Sequence, residues 1–185
     1  MFERYAFDAK KAIFLAHIEA VHRKEQSISV GDLLAGITWN AESRACKITP
    51  LKERAVMLRS LVGIPHLPST SIPYERGADI PLDSDAKKAV AYAAEEADLD
   101  RQYWIDSDHL LRGLLRFSNN AAEAMSKADI SLDSLRSASV QHQNEFPPAP
   151  IPKWAGAKKF VKRYWVRGVV AAILLMIFAY IKLQG

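Results

Sequence analysis

Asp8-Ala9-Lys10-Lys11-Ala12 returns 77 residues later as Asp85-Ala86-Lys87-Lys88-Ala89. The same offset, held without a gap, carries Ala16 onto Ala93, Glu19 onto Glu96, Ala20 onto Ala97 and Ile28 onto Ile105. It then carries Leu33-Leu34 onto Leu110-Leu111, Gly36 onto Gly113 and Leu58-Arg59-Ser60 onto Leu135-Arg136-Ser137. A register kept from position 8 to position 60 marks an internal duplication, and duplicated units of this size stack on one another to complete a core.

Each unit reads as helices. Ala9, Ala12, Ile13, Ala16 and Ala20 fall on one face at helical spacing, as do Ala86, Ala89, Val90, Ala93 and Ala97, and side chains so small let helices pack closely. Ser29 with Asp32 three residues on is a capping-box start for a helix from Val30 to Thr38, and Asp106 or Ser107 caps its counterpart. Thr49-Pro50 predicts an N-cap followed by proline at the first helical position, in a helix to about Leu61, and Ser131 caps the equivalent helix. Gly63 to Leu82 holds Pro65, Pro68, Pro73, Gly77 and Pro81, which predicts a linker without regular structure. No alternating apolar run reaches strand length. The expected fold is all-α: two tandem four-helix repeats, about 1–62 and 83–140, forming a pseudo-twofold bundle within a domain of residues 1–143.

The chain has 185 residues, 49% of them hydrophobic, enough to bury a core. Its formal charge is +4, yet the stretch from Lys153 onward holds seven basic residues and no acidic one, so the first 152 residues carry −3. A mildly acidic domain does not suit nucleic acid, and the basic cluster fits an anionic lipid surface instead. Cys46 is the only cysteine, which excludes an internal disulfide and predicts a small buried residue. Met1-Phe2-Glu3-Arg4-Tyr5 leads into charged sequence and not into the apolar core of a signal peptide, so the domain is expected in the cytoplasm.

Prolines at 147, 148, 150 and 152 predict a semi-rigid stalk over residues 144–157. Gly168 to Ile181 is free of charge but spans only about 21 Å as a helix. A bilayer core needs about 20 residues, which a transmembrane helix from Tyr164 to Leu183 supplies if Arg167 and Lys182 snorkel. Tyr164, Trp165 and Tyr180 then sit at headgroup level, and the basic residues of the segment from 158, lying mostly before the span, place the N-terminal domain on the cytoplasmic side. A single-pass, tail-anchored protein of the bacterial inner membrane is the expectation.

Candidate chemistry is sparse. Asp106-Ser107-Asp108-His109 has the residue types of a catalytic cluster, but a triad is assembled by the fold and not by adjacency, and helix capping accounts for the run. His17 and His22 are five apart and do not share a helix face, so no zinc pair is expected. Glu95-Glu96 reads as a solvated helix face. No Gly-x4-Gly-Lys-Ser/Thr phosphate loop occurs, so no ATP hydrolysis, and no cofactor, is expected.

Met1 to Tyr5, Ala9 to Ala20, Ile28 to Gly36, Ala86 to Ala97, Ile105 to Leu115 and Ile130 to Arg136 resemble the Clp N-terminal (Clp repeat) domain, over about Met1 to Val140. In that family the domain precedes the ATPase rings of Clp-type AAA+ unfoldases, and the resemblance implies a non-catalytic bundle that binds adaptors and substrate polypeptides. Some relatives bind phosphorylated arginine through a threonine at the start of each first helix and a glutamate just before His-Leu-Leu. Those threonines align with Ala6 and Asp83 and the glutamates with Gly31 and Asp108, so only Asp108 keeps the carboxylate. The resemblance thus offers Asp83, Asp108, His109 and Asp32 as candidate protein- or peptide-binding residues. The expected function is a membrane-tethered adaptor or docking factor for polypeptide substrates or a Clp-type protease or unfoldase. The alternative is a structural or regulatory membrane protein whose domain mediates self-association or envelope-complex assembly.

Overall fold

The computed structural model of the chain describes residues 3–64 and 80–142. Eight helices run in the order α1 (Phe7–His22), α2 (Val30–Trp39), α3 (Arg44–Ile48), α4 (Leu51–Leu61), α5 (Ser84–Leu99), α6 (Ser107–Leu115), α7 (Asn120–Lys127) and α8 (Leu132–Gln141). The chain divides into Met1–Ala149 and Pro150–Gly185. Among the described residues no helix is long and apolar enough to cross a membrane. The expected span, with Tyr164, Trp165, Arg167, Tyr180 and Lys182, lies outside the described residues, as do the proline-rich stalk and positions 65–79.

The core is built on alanine. Ala9, Ala12, Ala16 and Ala20 of α1, and Ala86, Ala89, Ala93 and Ala97 of α5, are fully buried. Against each stripe crosses the second helix of the same repeat, and the approach is set by glycine. A Cβ on Gly36 would press on the Ala12 carbonyl and stand 2.8 Å from the Ala16 nitrogen, and one on Gly113 would do the same to Ala89 and, at 2.8 Å, to Ala93. Backbone packed this tightly on backbone leaves room for hydrogen only.

Capping follows the sequence closely. Ser29 and Asp32 form the reciprocal box at the start of α2, and Ser131 with Ser134 forms one at α8. Helices α1 and α5 end alike: Lys24 and Arg101, 77 apart, both take the left-handed conformation at φ 57°. The next N–H closes each helix, Glu25 donating to the Ala20 carbonyl at 2.9 Å and Gln102 to that of Ala97 at 2.8 Å, a closure usually made with glycine. One boundary moves. Helix α4 begins at Leu51 with Pro50 as its cap, and the Thr49 hydroxyl donates to the Ala45 carbonyl while accepting from the Leu51 N–H at 3.4 Å.

The two repeats clasp each other through single parallel bridges, Tyr5 with Ile105 and Ile28 with Leu82. Under the 77-residue offset Tyr5 becomes Leu82 and Ile28 becomes Ile105, so each bridge is the other's image. The end of the predicted linker is therefore held in place: Ile28 donates to the Pro81 carbonyl at 2.8 Å and Asp83 to that of Ile28 at 3.0 Å.

Candidate functional site

Where the repeats meet, the pseudo-symmetry breaks in chemistry while holding in shape. On one side, α3 of the first repeat lies against α6 and α8 of the second, and the seam is polar. Asp8 Oδ2 accepts from the Arg44 N–H at 3.1 Å and from the Ser107 hydroxyl at 2.6 Å, while Ser107 Oγ accepts from the Ala45 N–H at 3.0 Å. Asp8 thereby serves the starts of two helices, α3 and α6, besides its own. Asp108, 1% exposed, takes the Ser139 hydroxyl at 3.0 Å and stands 3.4 Å from both Arg44 and Arg112.

On the other side α7 lies against α2 and α4, and the counterparts are apolar apart from Asp85, which corresponds to Asp8 and pairs with Lys88 on its own helix. Asp108 corresponds to Gly31, Arg112 to Ala35, Ser107 to Val30, Ser139 to Val62 and Arg44 to Ala121. A buried ion pair is held where further hydrogen bonds offset its desolvation; here Asp108 Oδ2 gathers Ser139 and both guanidiniums, while Asp108 Oδ1 makes no hydrogen bond. The cluster is assembled by α1, α3, α6 and α8 together, so it exists only once the repeats dock.

His109 is fully buried. Its Nδ1 accepts the Asp106 N–H at 2.9 Å, which leaves the ring proton on Nε2, 3.4 Å from Asp100. Asp100 also receives Arg112 at 2.6 Å. Burial alone would raise the Asp100 carboxyl, but the hydrogen bonds from His109 and Arg112 outweigh it and hold the group well below the usual carboxylate range. Asp106 is pushed the other way, up to about 7, by burial first and then by the Asp8 and Asp108 carboxylates. In the first repeat the same two positions carry Arg23 and Asp32, joined at 2.5 Å. The acid and base have changed places between repeats: Arg23 and Asp32 against Asp100 and His109.

Of the four residues singled out from sequence, three are spent internally. Asp32 and His109 each cap a helix and hold an ion partner behind it, and Asp108 bridges the repeats. Asp83, half-buried, caps α5 by accepting from the Ala86 N–H at 2.6 Å. The structure places Asp108 beside His109 but leaves Asp32 and Asp83 apart from them. Asp106, Asp108 and His109 have donor atoms within 4.8 Å of one another, a spacing that would suit a cation. Arg44 and Arg112 already supply positive charge to Asp108, and His109 Nδ1 is engaged by backbone, so the arrangement works as an ion-paired latch. Ser107, fully buried and donating to Asp8, is no nucleophile.

One expectation is overturned. Glu95 is exposed, but Glu96 is completely buried and gathers Arg136 at 2.6 Å, Arg116 at 2.9 Å and Arg112 at 3.4 Å. Burial would raise its pKa, yet hydrogen bonds from Arg136 and Arg116 reverse the effect and lower it. Glu19, its counterpart, pairs with Arg59 at 3.0 Å, both buried. The signal was in the duplication: Glu19 and Arg59 recur together as Glu96 and Arg136, and a charge pair retained at both ends of one offset is a contact.

No protein-family model matches the chain. It is 25% identical over 170 residues to an ATP-dependent Clp protease ATP-binding subunit ClpA homolog of Cyanidium caldarium, covering 86% of this chain and 18% of that protein. It is 26% identical over 150 residues to the chaperone protein ClpB of Oceanobacillus iheyensis, covering 76% and 17%. The chain thus spans less than a fifth of the length of these relatives. Among solved structures, the N-terminal domain of the caseinolytic protease associated chaperone ClpD from Arabidopsis thaliana superposes with a TM-score of 0.56 at 19% identity, over 78% of this chain and 97% of that one. The Hsp104 N-terminal domain from Candida albicans gives 0.57 at 16%, over 76% and 92%. A structure from a malarial protein secretion system gives 0.60 at 17%, over 78% and 99%. The described part of this chain therefore has the fold of a Clp-type chaperone N-terminal domain, all-helical and built from two four-helix repeats.

Proposed function

We propose that this chain is a non-catalytic, membrane-tethered protein-binding module, an adaptor or docking factor that brings polypeptide substrates or a partner to a Clp-type protease or unfoldase. The observation that carries the reading is a domain with the fold of a chaperone N-terminal domain on a chain that contains no phosphate-binding loop. A fold of this kind acts by holding a protein partner, and a Clp-type unfoldase is the partner this reading assigns to it. The tether rests on the uncharged run Gly168 to Ile181 and the basic residues before it, which set the domain on the cytoplasmic side. Of the candidate binding residues, Asp83 is the one a partner reaches without opening the domain. Asp32, Asp108 and His109 act from behind by holding the surface in shape.

Proximity labelling from the full chain in its native cell, compared with a chain ending at Gln143, tests this. Enrichment of protease or unfoldase subunits, stronger with the full chain, is expected. Enrichment of envelope components alone would replace the reading with the structural one.

A further inference from the structure

Helix α1 turns a second face outward, and that face differs from its image in α5. At about 100° per residue, Phe14, Ile18 and Val21 lie within about 40° of Phe7 around the helix, opposite the buried alanine stripe. Phe7 is 82% exposed and Phe14 49%, with Ile18 and Val21 half-buried beside them. Lys10 and His17 line one edge of this stripe and Lys11 and His22 the other. The helix's carboxylates are elsewhere: Asp8 is engaged with Arg44 and Ser107, and Glu19 is buried on Arg59.

The duplication supplies an internal control. The counterparts of Phe7, Phe14, Ile18 and Val21 are Ser84, Ala91, Glu95 and Asp98, whereas the lysine pair is kept as Lys87 and Lys88. Position for position, the apolar stripe is a property of the first repeat alone, and the scaffold does not require it.

We propose that the outer face of α1 is a lipid-contact surface that lays the domain on an anionic bilayer, with Phe7 and Phe14 entering the headgroup region and Lys10 and Lys11 meeting lipid phosphates. An apolar stripe with basic edges and no acid matches such a surface on both counts. A second copy of the chain fits less well, since two such faces would set lysine against lysine with no carboxylate between them. The chain can reach: Arg167 lies 25 positions beyond His142, at most about 80–90 Å when extended, against a radius of gyration of about 14 Å for a domain of this length. The proposal rests on the tethered reading for the nearness of a bilayer, but not for the chemistry of the face.

The full chain is mixed with phosphatidylcholine vesicles with and without phosphatidylserine, carrying a polarity-sensitive nitrobenzoxadiazole probe on Phe14→Cys or, separately, on Ala91→Cys. Cys46 is buried and stays unlabelled in the folded protein. Alkaline extraction of the same samples reads the tail independently. The probe at 14 is expected to shift to the blue and be quenched by lipid-borne quenchers on phosphatidylserine vesicles, while the probe at 91 remains in water. Lys10→Glu with Lys11→Glu should lower the lipid-bound signal at least about tenfold. A probe at 14 as wet as the one at 91 overturns the proposal, whether or not the tail resists extraction. Shielding that appears only when a second protein is added also overturns it and gives the face to a protein partner. Shielding on lipid with a tail that washes away keeps the face and removes the tether.

Discussion

Asp106 shows how one residue can work against the fold it helps to build. It caps α6, but it sits half-buried among the Asp8 and Asp108 carboxylates, with Arg44 as the opposing positive group, and its carboxyl is pushed from 3.8 up to about 7. Between those values the unfolded chain has released a proton that the folded chain retains. The unfolded state binds fewer protons there, so stability falls as pH rises through the window and levels off above it. Asp100 acts in the opposite sense and in another range: its lowered pKa adds stability above the ordinary aspartate value, lost as pH falls below it. Asp106→Asn keeps a good cap and removes the penalty. It should be more stable than the parent by about 1–3 kcal/mol at pH 8, with the difference closing toward pH 4. Urea denaturation at several pH values checks this, and a pH-independent difference would mean that Asp106 titrates normally.

Between elements, the buried pair Glu19 and Arg59 fastens α1 to α4, as Glu96 and Arg136 fasten α5 to α8. Arg59 also donates to the Ala35 carbonyl of α2 at 3.4 Å, so one guanidinium touches three helices. Removing a single partner leaves a charge buried: Arg59→Met should cost about 3–5 kcal/mol, and adding Glu19→Met should recover much of the loss. Chemical denaturation of the two single variants and the double variant closes the cycle. Equal losses in Arg59→Met and the double variant would show that packing, not charge, dominates. The second-repeat pair is more open, with Arg136 at 40% exposure, so Arg136→Met should cost less. The starts of α2, α6 and α8 were legible because capping is local chemistry read over three residues, while α4 starts one residue later than Thr49-Pro50 predicts. Glu96 was misread because adjacency on a helix says which way a side chain points only once the buried face is known.

At the scale of the molecule, the duplication makes two seams of equal shape and opposite character. Arg44 and Asp108 occupy the polar one, Ala121 and Gly31 the other. Because Arg44 comes from one repeat and Asp108 from the other, Arg44→Met should weaken docking of the repeats by about 2–4 kcal/mol. Amide exchange would show it as faster opening along α3, α6 and α8, with α2 and α7 protected as before. Uniformly faster exchange would deny the seam any separate role. The sequence by itself determined the repeat, its helical character and the alanine faces, because these follow from periodicity and from an offset held without a gap, whereas the place of Gly36 and Gly113 at the helix crossings emerged only with the structure. It also supplied every residue of the polar seam without revealing that they meet. Only the tertiary structure decided that Asp8, Arg44, Asp108 and Ser139 converge, and that Asp32, Asp108 and His109 face inward. Such contacts join residues as far as 99 positions apart, and no local pattern records a pairing that exists only after two halves have docked.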